Sequence, residues 1–488
     1  MRRPIAPVAA ALAVVAVVSS DAPAAEPEFD GEIRARQSVF LNGDFDSDAD
    51  DADNFATLRT RVGMRFVAGD HASAYVQFQD TRAFGEPAGT RVSLEQVDLH
   101  QGYLNVEDVY DSPLSLRIGR QEMSYGRGRQ IAANQWDEVG RSFDGVRMLY
   151  DIEDFGFFDL FAMKLRETGG VSSINSGAAV TAGGVESALF GAYLQYEPSE
   201  ELDVEVYVLD VYRDAGDLFD PETRVLVDEN NTANLFTTGA RFEYADERVT
   251  VYGEGAVQFG DAPKTLADGE VVARDHAGYA AYAGVDYVLP SDGEVESWLG
   301  LQVDFASGDD DRKDDEISGY VPLFPRRHDP LGAMDLVGWS NVLGVRGRAG
   351  VDAGNGWTLW LDYHWFGVVE EVDAWYTVDG PLYGARRVFA DVRDAGPVFY
   401  RGNESFNSTL GSEIDATARF EVDESLSFSL ELAYWIPGDW QEQSAAQAAN
   451  EILRRLGDPA YDPDFDPAAE AAELDAAFSL YLQTTARF

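Results

Sequence analysis

Phe55-Ala56-Thr57-Leu58-Arg59-Thr60-Arg61-Val62-Gly63-Met64-Arg65-Phe66-Val67 has a period of two. Ala56, Leu58, Thr60, Val62, Met64 and Phe66 share one face, while Thr57, Arg59, Arg61, Gly63 and Arg65 share the other. Successive side chains of an extended chain point to opposite sides, so the stretch predicts a strand with an apolar face and an arginine-bearing face. The pattern recurs along the chain. Leu359, Leu361, Tyr363 and Trp365 oppose Thr358, Asp362 and His364. Leu426, Phe428, Leu430, Leu432, Tyr434 and Ile436 oppose Ser427, Ser429 and Glu431. About 18 such segments follow one another, each near the ten residues a tilted strand needs to cross a bilayer. They begin near Gly31, Phe55, Ser73, Ser93, Leu114, Asp144, Gly156, Glu186, Leu202, Asn234, Arg248, His276, Glu294, Trp339, Gly356, Thr409, Glu424 and Ala476.

The connections alternate in length. Those after even segments are short, as at Ala68–Ala72, Pro198–Glu201, Asp246–Glu247, Pro290–Gly293, Gly350–Asn355 and Val422–Asp423. Those after odd segments are long, as at Asn42–Asn54, Met123–Phe143, Glu167–Val185, Asp214–Ala233, Ser307–Gly338, Val368–Ser408 and Pro437–Asp475. Short periplasmic turns and long external loops produce this parity in outer-membrane barrels; a soluble sandwich has no reason to sort its loops. The expected fold is therefore an all-β transmembrane antiparallel barrel. The final segment alternates through Phe478, Leu480, Leu482, Thr484 and Ala486 to Phe488, an ending that resembles the signal read by the barrel-assembly machinery. At the other end, Arg2 and Arg3 precede a short apolar run from Ile5 to Val18 and a small-residue site at Ala22-Pro23-Ala24. That order predicts a secretory signal over residues 1–24 and one barrel domain over 25–488, in the outer membrane of a Gram-negative bacterium.

Composition narrows the function. The 488 residues carry a formal charge of −50 and no cysteine, which removes disulfides and thiolate chemistry and argues against nucleic acid as a partner. The five histidines show no i, i+4 zinc spacing, and no Gly-x-Ser-x-Gly elbow occurs. Of the 37 basic residues only Lys164, Lys264 and Lys313 are lysines. Arginine is the side chain that grips carboxylates with two parallel hydrogen bonds. The acidic runs Asp44–Asp51 and Gly308–Asp311 fall in long loops, where Asp46, Asp48, Asp309 and Asp310 are weak candidates for a structural Ca²⁺; a solvated surface is the plainer reading. No other cofactor is implied.

Phasing each segment by its apolar side assigns an inward face. Arg34, Arg36, Arg59, Arg61, Arg65, Arg117, Arg147, Arg241, Arg346 and Arg348 fall inside, with Arg419 and Arg487. So do Glu32, Asp203, Glu205, Glu243, Glu254, Asp286, Asp304, Asp362, Glu413, Asp415 and Glu431. The early segments are rich in arginine and the later ones in acid, so the lumen has a basic wall and a mainly acidic one. Two roles fit: an arginine ladder that hands an anion along through several weak sites, or ion pairs that brace the barrel.

Several motifs resemble the alginate-export family. They are Arg117-Ile118-Gly119-Arg120-Gln121-Glu122, Tyr125-Gly126-Arg127-Gly128-Arg129, Trp136, and Gly140-Arg141-Ser142-Phe143-Asp144-Gly145-Val146-Arg147. Supporting matches are Ala306-Ser307-Gly308-Asp309, Leu323-Phe324-Pro325 with His328, Gly332, Asp335 and Asn341, and Leu410-Gly411-Ser412-Glu413-Ile414-Asp415. The resemblance implies an 18-stranded monomer that passes an anionic uronate polymer. It also implies Arg120, Arg129, Arg141 and Arg147 as pore or constriction residues. The turn at Val422–Ser425 is short, whereas the family's exporter has a plugging loop there. A small-solute porin, a closed structural or receptor barrel, and a secreted carbohydrate-active enzyme are the alternatives.

Overall fold

The computed structural model describes residues 27–46, 52–84, 95–167, 186–214, 218–219, 226–228, 232–265, 271–291, 293–311, 314, 316–378, 388–392 and 396–488. The region read as a signal sequence, 1–24, and Asp48 lie outside them. Eighteen strands form the wall. They are β1 (Glu28–Leu41), β2 (Asp53–Val67), β3 (Ala72–Phe84), β4 (Glu95–Val106), β5 (Leu114–Gln121), β6 (Phe143–Ile152), β7 (Gly156–Glu167), β8 (Glu186–Ser199) and β9 (Leu202–Asp214). The circuit continues with β10 (Thr232–Ala245), β11 (Val249–Thr265), β12 (Val271–Val288), β13 (Glu296–Ala306), β14 (Val342–Gly354), β15 (Trp357–Gly367), β16 (Thr409–Glu421), β17 (Leu426–Pro437) and β18 (Ala477–Arg487).

Each strand pairs antiparallel with its chain neighbours. β1 pairs with β18 from Glu32↔Arg487 to Leu41↔Phe478, and Gly31 and Phe488 exchange backbone hydrogen bonds at 2.8 and 3.1 Å. Closure matters because hydrocarbon offers no partner to a free strand edge. No helix among the described residues is long and apolar enough to cross a membrane.

Alternation sorts the side chains as expected. Leu359, Leu361 and Tyr363 stand exposed on the outer wall, while Asp362 and His364, on the alternate positions, are buried inside. Strand starts fall within about three residues of those read from the pattern, except that β12 begins at Val271, five residues before His276. Trp339 is the instructive case: it continues the period of the strand that follows, yet it packs in an interior cluster, and β14 starts at Val342.

The long connections do not simply project outward. Segments 307–341, 368–378 and 400–408, with the helix α1 (Asp439–Leu456), pack inside the long-connection half around Trp375, Trp435 and Trp440. A second apolar cluster joins Met123, Tyr125, Ile131 and Phe324 from connections 122–142 and 307–341 to the β7–β10 wall. Residues 316–317 even add a short parallel strand beside β12.

Candidate functional site

The register of the first hairpin sets Arg34 directly across from Arg59. Like charges opposed on one sheet face repel, so this arrangement needs anions close by. Glu32 supplies one, 2.5 Å from Arg59. The rest come from the 122–142 connection, which folds into the lumen against this wall. Arg34 donates to the carbonyls of Gln135 and Asp137 at 2.6 and 3.1 Å. Arg59 donates to the same two carbonyls, both at 2.9 Å. Arg61 reaches the Gln135 side chain at 2.5 Å and Glu122 at 3.4 Å. Glu138 bridges Arg34 and Arg36 at 2.9 and 3.2 Å. Gly140 lets the segment turn at φ 73°, where a Cβ would sit 2.7 Å from an Arg61 nitrogen.

The other half of the same connection carries the opposite charge and meets the opposite wall. Arg129 pairs with Asp304 of β13 at 2.5 Å and lies over the rings of Tyr282 and Trp339. Arg127 pairs with Glu243 at 3.2 Å and stacks on Tyr252. Arg241 pairs with Asp203, Glu205 and Glu243 on the same wall. The segment thus spans the lumen with its basic end on the acidic wall and its acidic end on the basic wall. Buried charges held this way are costly to uncouple, about 3–5 kcal/mol when one partner is removed.

Burial alone pushes the Glu138 carboxyl up, but Arg34 and Arg36 outweigh it and hold the group below the usual carboxylate range. Glu122 behaves alike: burial raises it, and His100 and Arg61 together pull it lower. Next to them the indole of Trp136 is capped on one side by Arg36, 3.6 Å from the ring centroid, and on the other by the stacked ring of His328 at 3.5 Å. Burial lowers the His328 imidazole, but Asp335 and Glu431 reverse this and hold it at about 10, so the ring is cationic at neutral pH.

Below this bridge, toward the short-turn rim, lies a cavity of about 1090 Å³. Among the described residues its charged lining is Arg34, Arg59, Arg61, Arg127, Arg129, Arg326, Arg346, Arg348, Arg419 and Arg487, with the cationic His328, against Asp30, Glu32, Glu122 and Asp329. A chain of charge −50 therefore encloses a basic chamber. Arg346 bridges Asp329 and Asp362 at 2.8 and 2.7 Å, and Arg348 stands 3.2 Å from Asp362.

The remaining sequence candidates scatter. Arg147 pairs with buried Asp159 at 2.5 Å, and Arg117 lies over Tyr103; both face inward but line a different part of the wall. Arg141 donates to the carbonyls of Ala132, Phe324 and Pro325 and ties the two inward connections together. Arg65 is exposed near the short-turn rim and forms no ion pair among the described residues. Arg120 does not face the lumen. It alternates with Ile118 on the outer wall and pairs there with Asp144 at 3.4 Å, because its strand places Arg117 and Gln121 inside. Arg120→Gln is expected to leave ion preference unchanged; a selectivity loss in reversal-potential measurements would put Arg120 in the permeation path after all. The acidic loops show no convergent cage: among the described residues no three carboxylate or imidazole groups are placed to hold a metal. The Asp46 amide donates to Asp44, and the Asp309 amide donates to Asp373.

Sequence reasoning named the wall but not its partners. Gln135, Asp137 and Glu138 are not among the sequence candidates, although the acidity of Asp137 and Glu138, eight and nine residues beyond Arg129 of the same segment, mirrors the two walls.

The profile of a family described as alginate export matches residues 26–454. Among solved structures the chain is similar to OccD3 (OpdP) of Pseudomonas aeruginosa, with 11% identity over 96% of this chain and 93% of that one, at a TM-score of 0.52. It is also similar to OccAB1 of Acinetobacter baumannii, with 12% identity over 94% and 96% of the two chains, at a TM-score of 0.54. These likenesses establish the barrel fold. No curated protein sequence matches the chain.

Proposed function

Because the chain belongs to the alginate-export family of outer-membrane barrels, we propose that it is a channel for anionic saccharides, uronate oligomers or polymers, which meet their recognition groups in the basic chamber. The family and the fold are those of outer-membrane channels. The solute class rests on one observation: ten arginines against four carboxylates line the chamber, in a chain otherwise dominated by acid. Guanidinium groups pair with carboxylates bidentately, and several weak sites in a row bind without trapping. The 122–142 bridge narrows the passage above the chamber, so a solute reaching it from the short-turn side threads past the Gln135–Glu138 segment.

Purified protein in planar bilayers tests this. The expected result is a steady, anion-leaning current that falls as oligouronates are added and is indifferent to neutral oligosaccharides of the same length. Cation preference, or equal block by neutral sugars, would overturn the solute class; no current from an intact barrel would overturn the channel.

A further inference from the structure

Glu413 and Asp415 are inward acids of β16 that do not line the chamber. They flank Ile414, share one face of the strand, and are buried at 0% and 3% exposure. Their carboxyl groups lie within hydrogen-bonding reach of each other. An ionised carboxylate only accepts hydrogen bonds, so a bond between two carboxyl groups needs a proton on one of them. Glu413 Oε2 and Asp415 Oδ1 are buried with no other hydrogen-bond partner among the described residues. A proton shared between the acids satisfies such oxygens. His364 Nε2 stands 3.3 Å from Asp415 Oδ2.

An inward segment sits on this pair. The Met334 amide donates to Glu413 Oε1 at 2.8 Å. A Cβ at Gly332, φ 96°, would lie 2.6–2.8 Å from the Glu413 carboxyl atoms, so the backbone of 328–337 rests directly on that group. Asp329 and Asp335 are left-handed at φ 85° and 56°, a conformation that surroundings must hold in place. The segment also backs the 122–142 bridge: His328 stacks on Trp136, and Arg327 pairs with Asp137 at 2.9 Å. We propose that the Glu413–Asp415 pair is a proton-controlled seat for segment 328–337, which holds the segment with one proton between the acids and loosens it without that proton. Two like charges in contact away from water then repel, and the segment carries the only backbone donor to Glu413 shown there. The charged and titratable groups facing the pair or the segment are Asp362 and His364 of β15, Arg346 of β14, Glu431 of β17, Tyr481 of β18 and Arg36 of β1, with His328, Asp329 and Asp335 on the segment itself. Arg346 is shared by Asp329 and Asp362, and Arg36 is paired with Glu138. Raising the pH therefore loosens the segment and, through His328 and Arg327, the bridge. The effect on current rests on the channel reading above; the loosening does not.

Amide hydrogen exchange of the 328–337 peptide in the native protein, corrected for the intrinsic rise of exchange with pH, tests this. Buried glutamates that give up a proton only near pH 8–9 are known, so exchange should be level up to about pH 7 and at least about tenfold faster by about pH 9. His328, held at about 10, stays cationic over most of that range. Glu413→Gln and Asp415→Asn each keep a hydrogen bond across the pair with no shared proton to lose, and each should exchange at one corrected rate throughout. Asp415→Asn carries the test if Glu413→Gln does not fold. A native protein that shows no acceleration overturns the proposal. Equal acceleration in a folded variant assigns the loosening to other groups and also overturns it. In planar bilayers the native current should rise over the same pH range and the variant currents should not. A native current that stays flat while exchange responds overturns the link to the bridge, whereas a barrel without current at any pH, its exchange still responding, sinks the channel reading and leaves the seat standing.

Discussion

Glu138→Ala is expected to raise single-channel conductance and to add large, brief opening steps to an otherwise steady current. Glu138 is the carboxylate that bridges Arg34 and Arg36, and the bridge holds the 122–142 connection against the basic wall. Without it two buried guanidinium groups face each other and Arg59 with fewer anions, at a cost of about 3–5 kcal/mol. Each 1.4 kcal/mol is a factor of ten, so the undocked state should gain roughly a hundredfold or more in population. Arg129 still anchors the other end of the segment and Arg141 its exit beside Phe324, which makes partial release the expected change and preserves the barrel. Acid should produce the same opening in the native protein. The Glu138 carboxyl is held below its unfolded value, so its stabilisation is present above about pH 4.3 and is lost as pH falls through the depressed value. Glu138→Gln, which has no charge to lose, should be open already and should change less over that window. Conductance traces of the three proteins from pH 7 downward decide the matter; identical traces would show that the Arg34–Glu138 contact does not hold the constriction.

The barrel was legible because lipid and lumen impose opposite chemistry on alternate residues. Phe55–Val67 or Leu426–Ile436 announces a strand without reference to anything distant. The two walls of opposite charge were legible for the same reason. What the period of two does not encode is where a long connection goes once it leaves the wall. The helix Asp439–Leu456 illustrates this. Its signals were all local: Asp439 and Glu442 in the first turn, Arg454 and Arg455 in the last, and Gly457 in the left-handed region as a cap. It was overlooked because it lies in what read as an external loop, although its Trp440 is fully buried. Arg120 failed for another reason. Its family motif implied a pore residue, while its own strand phase places it outside with Ile118. Among the arginines on the inward face, the distinction between holding a loop and facing a solute depends on partners from sequence-distant segments, and no spacing rule supplies those.

That distinction leads to the second large effect. Arg34, Arg59 and Arg61 are spent on the 122–142 connection, with about 2–5% of their surface exposed. Arg326, Arg419 and Arg487 line the same chamber with side chains 51%, 48% and 57% exposed. Their ion pairs with Asp329, Glu421 and Glu32 are therefore weak, about 0–1 kcal/mol each, and changing them leaves the fold intact. Ten arginines and the cationic His328 against four carboxylates give a side-chain excess of seven positive charges. Reversing these three to glutamate changes the charge by six and removes nearly all of it. Opposite unit charges about 7 Å apart in water attract by about 0.6 kcal/mol, and salt screens them over about 8 Å at physiological strength. Six units of charge change, so screened, amount to about a tenfold effect or more. The Arg326→Glu/Arg419→Glu/Arg487→Glu protein is expected to lose or invert its anion preference in reversal potentials at 0.1 M salt, to bind oligouronates at least about tenfold more weakly, and to differ little from the native protein at about 1 M, where the Debye length is about 3 Å. Anion preference that survives all three reversals at low salt would assign selectivity to the buried clamp itself, and the chamber would be a vestibule rather than the place where the solute is chosen.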